Sequence, residues 1–201
     1  ILGLFLMRFY FFRTFSAFSP ILILIILITT VISILILGSY TELAAKDGKG
    51  GDPLGVIYPS SQVEIPIIKF SDDQGNEVTL EKFRETFVML HFWAIWCTPC
   101  RKELPTMDRL QNNYSEENFI IIPLSVGRDD AEDVYRFYLE NNIVDLPIYI
   151  DPDMESARKM LITGIPFTIL IDGKGREVGR IAGARDWSSP DIHALLKDMI
   201  Q

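Results

Sequence analysis

The stretch FVMLHFWAIWCTPCRKELP, Phe87 to Pro105, decides how this chain is read. Its first half, Phe87 to Ile95, is an almost unbroken apolar run of strand length, as expected for a buried central strand. Its second half places Cys97 and Cys100, the two cysteines of the chain, at the start of a helical pattern. Leu104, Met107 and Leu110 recur there at helical spacing, with Pro105 inside as an expected kink. A disulfide between Cys97 and Cys100 closes too small a loop to restrain the unfolded chain much. A zinc site needs four ligands; the pair supplies two, and His91 and His193 are not at ligand spacing. Chemistry at the sulfurs is the stronger reading. A cysteine at a helix N-terminus meets unpaired backbone N–H groups and the positive end of the dipole, which favour the thiolate. Cys97 then attacks, and Cys100, one turn along, is placed to resolve a mixed disulfide. Pro99 suits the first turn, where its missing N–H costs little.

Outward from this stretch, strands alternate with helices. EIPIIKF, FIIIPLSV and LPIYID read as strands, and VTLEKFRE as a short strand running into a helical turn. DDAEDVYRFYLENN is predicted as a helix with Ala131, Val134 and Tyr138 on one face, and MESARKMLI as a short helix. FTILID and EVGRIAG form a predicted hairpin around GKGR. In the closing SSPDIHALLKDMI, Ser189 is expected to cap and Pro190 to open a helix that buries Ile192, Leu195, Leu196 and Met199. This order predicts an α/β fold, a mixed central sheet with helices on both faces.

The N-terminal quarter differs. Residues 21–38 include the uncharged run ILILIILITTVISILIL, about 26 Å long as a helix, enough to cross a bilayer core. Arg8 and Arg13 lie upstream among aromatic residues and Glu42 and Asp47 downstream, which orients residues 1–20 to the cytoplasm. The expectation is one transmembrane anchor, a flexible tether over 39–62 rich in Gly, Pro and Ser, and a folded domain over 63–201. A cleaved signal peptide is the alternative, but SYTELAAKD offers a poor cleavage site, with Leu43 where a small residue is wanted. The net charge of -8, with no basic block, argues against nucleic acid as a partner.

From about residue 60 onward the chain resembles the thioredoxin superfamily, and more narrowly the membrane-anchored TlpA/ResA-like thiol–disulfide oxidoreductases. FWAIWCTPCRKELP, TGIPFTILIDGKGREVGRIAG and the extra IIIPLSV…LPIYID segment carry the resemblance. It implies a thioredoxin-like fold and a redox-active disulfide Cys97–Cys100, with no metal and no further cofactor. It also implies that Pro166 is the family's cis-proline, whose backbone, with that of Ile165, pairs with substrate. Trp96 becomes a partly exposed platform for partners, with Trp93 the core tryptophan. Glu103 becomes a group near the cysteines that helps their proton traffic; a solvated helix charge is the alternative. His91 departs from the pattern, because the family carries Asp or Asn there. It is either a proton relay to Cys100 or a satisfied core histidine.

The activity this implies is thiol–disulfide exchange on the periplasmic side of the inner membrane. The expected partners are exported proteins with paired cysteines: copper-site assembly factors or the copper-binding subunit of cytochrome c oxidase. A membrane thiol relay would supply electrons. LITGIPFTI around Pro166 favours oxidase assembly over cytochrome c maturation. A copper-binding assembly protein without redox turnover is the reading from another class.

Overall fold

The computed structural model describes residues 24–34, 54–61 and 63–200. The chain falls into two units, Ile1–Gly50 and Gly51–Gln201. In the first, residues 24–34 are helical and exposed, and apolar apart from Thr29, Thr30 and Ser33. Among the described residues no helix is long and apolar enough to cross a membrane. The rest of the segment predicted as an anchor lies outside the described residues.

In the second unit the strands are β1 (Val56–Ile57), β2 (Val63–Glu64), β3 (Lys69–Asp72), β4 (Glu77–Thr79), β5 (Phe87–Trp93), β6 (Phe119–Val126), β7 (Tyr149–Asp151), β8 (Phe167–Ile171) and β9 (Arg176–Ala182). The helices are α1 (Thr98–Asn113), α2 (Ala131–Glu140), α3 (Glu155–Lys159) and α4 (Pro190–Met199). One sheet runs in the order β1-β9-β8-β5-β6-β7-β3-β4, with β2 also on β9. β5 is parallel to β6 and antiparallel to β8, so the sheet is mixed, as predicted.

All of β5 is buried, because both faces of the central strand are covered. Phe87, Met89 and Trp93 belong to one apolar cluster with Leu104, Met107 and Leu110 of α1, Val134 and Phe137 of α2, and Ile192 and Leu196 of α4. Val88, Leu90 and Phe92 belong to a second, with Ala157 of α3, Phe70 of β3, Val78 of β4 and Ile68 just before β3. The period of two along β5 thus assigns His91 to the α1 side.

Two expectations need correction. The folded unit begins before residue 63: Val56 pairs with Ile181 and is buried, so the end of the predicted tether is an edge strand. Buried Val56 satisfies its backbone by joining the edge of the sheet at β9. Ser189 occupies the N-cap of α4 with extended backbone, but its side chain makes no capping bond. Pro105 lies inside α1, which continues to Asn113, as the spacing of Leu104, Met107 and Leu110 predicts.

Candidate active site

β5 runs into the loop Ala94–Trp96 and then into α1, whose N-cap is Cys97. Cys97 and Cys100 form a disulfide. Cys97 keeps 5 % of its surface in solvent and Cys100 none. Cys97 caps the helix with its sulfur, which accepts from the Cys100 N–H at 3.3 Å. The N-terminal amides therefore act on the more exposed sulfur, where negative charge develops when the bond opens. Pro99 lies in the first turn, as expected.

The loop is held by contacts that the sequence did not announce. Asp129 Oδ2 accepts from the Ile95 N–H at 2.8 Å and from the Ser125 hydroxyl at 3.0 Å. The Cys97 N–H donates to the Ala94 carbonyl at 3.0 Å. Trp96 is 66 % exposed beside the disulfide, whereas Trp93 is wholly buried. Trp96 lies over Gly127, where φ is +118°; a Cβ there would stand 3.7 Å from the indole nitrogen. Glycine is suited to both that backbone and that approach.

The Ile165–Pro166 bond is cis. The Pro166 carbonyl already accepts from the Gly183 N–H at 3.0 Å, and Pro166 has no N–H to give. In the expected strand-like pairing with substrate, any backbone N–H donor of this pair would therefore be that of Ile165.

Behind the cysteines is a buried polar network. Glu103 lies one turn after Cys100 on the same face of α1 and is only 2 % exposed, so it is not a solvated helix charge. Its Oε2 accepts from the Trp187 indole N–H at 2.8 Å and from the Arg185 backbone N–H at 3.0 Å. Its Oε1 faces His91 Nε2 at 3.4 Å without hydrogen-bond geometry, and neither atom has a hydrogen-bond partner. His91 Nδ1 lies 2.9 Å from the Thr168 hydroxyl, its cross-strand neighbour. The Arg185 guanidinium sits over the Trp187 ring, 5.5 Å from its centre.

Burial pushes the Glu103 carboxyl up to about 7, despite the opposing N–H bonds from Arg185 and Trp187. Burial also pushes His91 down, to about 3. The two are therefore not an ion pair near neutral pH. His91 stays neutral, and Glu103 changes protonation in the range where thiols exchange. Thr168, Trp187, Arg185 and Asp129 were not legible as site residues. Thr168 had one available signal, its place two residues after Pro166; the others come from loops whose return to the site no local pattern encodes.

A dithiol–disulfide pair at a helix N-cap, a cis-proline before the adjacent strand and a buried carboxyl one turn along define a thioredoxin-like protein that exchanges disulfides through its own sulfurs. A model of the AhpC/TSA family matches residues 62–178, and the chain belongs to that family. The thiol-disulfide oxidoreductase ResA of Bacillus thuringiensis subsp. konkukian is 30% identical over 120 residues, covering 60% of this chain and 68% of the relative. ResA of Bacillus subtilis is 25% identical over 120 residues, covering 60% and 66%. Among solved structures, a thiol:disulfide interchange protein of the thioredoxin family from Chlorobium tepidum matches with a TM-score of 0.60 at 23% identity, over 71% of this chain and 99% of that one. The thioredoxin domain of a thiol-disulfide oxidoreductase from Bacteroides vulgatus gives 0.59 at 25% identity, over 71% and 99%. The protein is a thiol–disulfide oxidoreductase of the ResA-like kind.

Proposed function

We propose that this enzyme works as a reductant of particular exported proteins, tethered to the inner membrane with its redox domain in the periplasm. The single observation that carries the exchange chemistry is the buried carboxyl of Glu103 one turn along α1 from a fully buried Cys100; the reducing direction rests on the resemblance to TlpA/ResA-like proteins. In the reduced enzyme, the Cys97 thiolate attacks a partner disulfide and expels one partner thiolate. Cys100 must then lose its proton to resolve the mixed disulfide, and no bulk water touches it. Glu103 can accept that proton, since its carboxyl titrates near neutrality. The Cys100 thiolate attacks Cys97, the second partner thiolate leaves, and the Cys97–Cys100 disulfide is formed.

The partner class we favour is the copper-site machinery of cytochrome c oxidase: assembly factors or the copper-binding subunit, whose paired cysteines must be reduced before they take metal. The resemblance of LITGIPFTI to TlpA supports this over cytochrome c maturation. A membrane thiol relay would re-reduce the enzyme. The anchor rests on the uncharged run within residues 21–38 and on Arg8 and Arg13 upstream of it.

The test is trapping. The Cys100→Ser variant should accumulate thiol-sensitive adducts with exported partners, and Cys97→Ser should not. Adducts in Cys97→Ser instead would reverse the roles. Trapped cytochrome c maturation proteins would replace the copper-site assignment. Intact-mass analysis of membrane-extracted protein checks the anchor, which a chain beginning near residues 40–46 would exclude.

A further inference from the structure

The network behind the disulfide contains a group that the exchange chemistry has not used. His91 is fully buried, and its two ring nitrogens face different partners. Nδ1 meets the Thr168 hydroxyl at 2.9 Å, and Nε2 meets Glu103 Oε1 at 3.4 Å. Glu103 Oε2 is occupied by two N–H donors, so Oε1 is the oxygen on which a proton resides. This oxygen must be a donor when Glu103 is protonated and an acceptor when it is not. A buried partner with one fixed role would be mismatched in one of these states, at the cost of an unmade bond.

A neutral imidazole has both roles available, one nitrogen carrying the proton and the other a lone pair. We propose that His91 is a tautomeric switch that keeps Glu103 complemented in both of its protonation states, with Thr168 as the group that lets the ring change. With Glu103 protonated, its O–H donates to Nε2, and Nδ1–H donates to the Thr168 oxygen. With Glu103 ionised, Nε2–H donates to Oε1, and the Thr168 hydroxyl turns to donate to Nδ1. Between the two states the network loses one proton to water, and His91 is neutral in both. A hydroxyl can serve either state because its hydrogen rotates to suit.

The surroundings agree. The side of Glu103 away from His91 meets only donors, from Trp187 and Arg185. The Arg185 guanidinium, over the Trp187 ring, is the charge that favours the carboxylate. The cysteines, on the same helix, do not titrate while joined. Burial keeps the ring from becoming imidazolium at working pH. His91 is thus a positioning residue that acts through Glu103, and the inference rests on the reading of Glu103 as the proton acceptor of Cys100.

The experiment uses the full chain in detergent micelles with its disulfide formed, labelled with ¹⁵N at histidine and ¹³C at the glutamate carboxyl. His193→Asn, at a site remote from the cysteines, leaves His91 as the sole histidine signal. Between pH 5 and 9 the ring nitrogens should exchange tautomer from Nδ1–H to Nε2–H, with the same midpoint as the Glu103 carboxyl. Thr168→Val removes the acceptor of Nδ1–H in one state and the donor to Nδ1 in the other; a buried N–H without a partner costs more than a lone pair without one, so the midpoint should fall by about half a unit. Thr168→Ser should restore it. One unchanging tautomer, an imidazolium in this range, or an unmoved midpoint in Thr168→Val would each overturn the switch. No partner protein enters this measurement. A failed switch leaves thiol exchange standing, and a failure to trap partners leaves the switch standing.

Discussion

Replacing Glu103 by glutamine should make the protein more stable and a worse enzyme. Glutamine keeps the shape and an oxygen to accept from Trp187 and Arg185. It also places an amide donor opposite His91 Nε2. It cannot ionise. In the native protein the carboxyl titrates near 7, against 4.5 for an ordinary glutamate. The folded state therefore binds this proton more tightly than the unfolded state, and wild-type stability falls as pH rises from 4.5 to about 7, then levels off. At about 1.4 kcal/mol per pH unit, that interval corresponds to roughly 3 kcal/mol. Glu103→Gln should therefore gain little at pH 4 and on the order of 3 kcal/mol at pH 7.5, measured by urea unfolding of the oxidised protein. In rapid-mixing assays it should resolve mixed disulfides about 10²-fold more slowly, in line with the loss of a general base. A gain independent of pH, or a loss at every pH, would refute the claim that Glu103 holds a desolvated proton.

His91 carries the opposite dependence. Its folded pKa lies far below 6.5, so the unfolded chain takes up protons first, and stability is lost as pH falls from 6.5 towards 3; His91→Asn should flatten that slope in acid unfolding. Asp108 is buried and its Oδ1 accepts from the backbone N–H groups of Val144, Asp145 and Leu146, at 2.7 to 3.2 Å. Asp108→Ala should therefore cost about 2–4 kcal/mol in denaturant unfolding while leaving the exchange pH profile in place. Asp129→Ala removes the acceptor of the Ile95 N–H and should slow attack by Cys97 about 10-fold in stopped-flow exchange, with only a small drop in melting temperature. A large stability loss with unchanged rate would assign Asp129 to the core instead.

The architecture was legible because β5 and α1 are governed by local rules. Phe87–Trp93 is apolar throughout, and a strand covered on both faces has to be. Leu104, Met107 and Leu110 mark the buried side of a helix that starts at the cysteines. Cys97, Cys100, Trp96 and Pro166 could be placed because each sits in a short specific motif. Val56–Ile57 was read as tether because two residues carry no period; its partner is β9, more than a hundred residues away in the chain. The same reason hid Thr168 and Trp187. A histidine on an apolar strand announces burial, but its partners depend on strand register and on a loop after β9. Glu103 was placed near the cysteines by the resemblance, and the helix phase set by Cys100 shows why it is inside although Arg101 and Lys102 before it are exposed.

The Pro166 carbonyl, already bonded to Gly183, bears on how long a client stays. A client segment that paired with Ile165, as the resemblance implies, would find one residue's worth of backbone pairing rather than a ladder. Two neutral hydrogen bonds contribute about 1–3 kcal/mol, which alone corresponds to a dissociation constant weaker than about 1 mM. Dwell time is then set by the covalent bond to Cys97. A client reduced as proposed would be held while the mixed disulfide lasts and would leave in the step that completes its reduction, so release would require no separate opening of the enzyme and product inhibition should be slight.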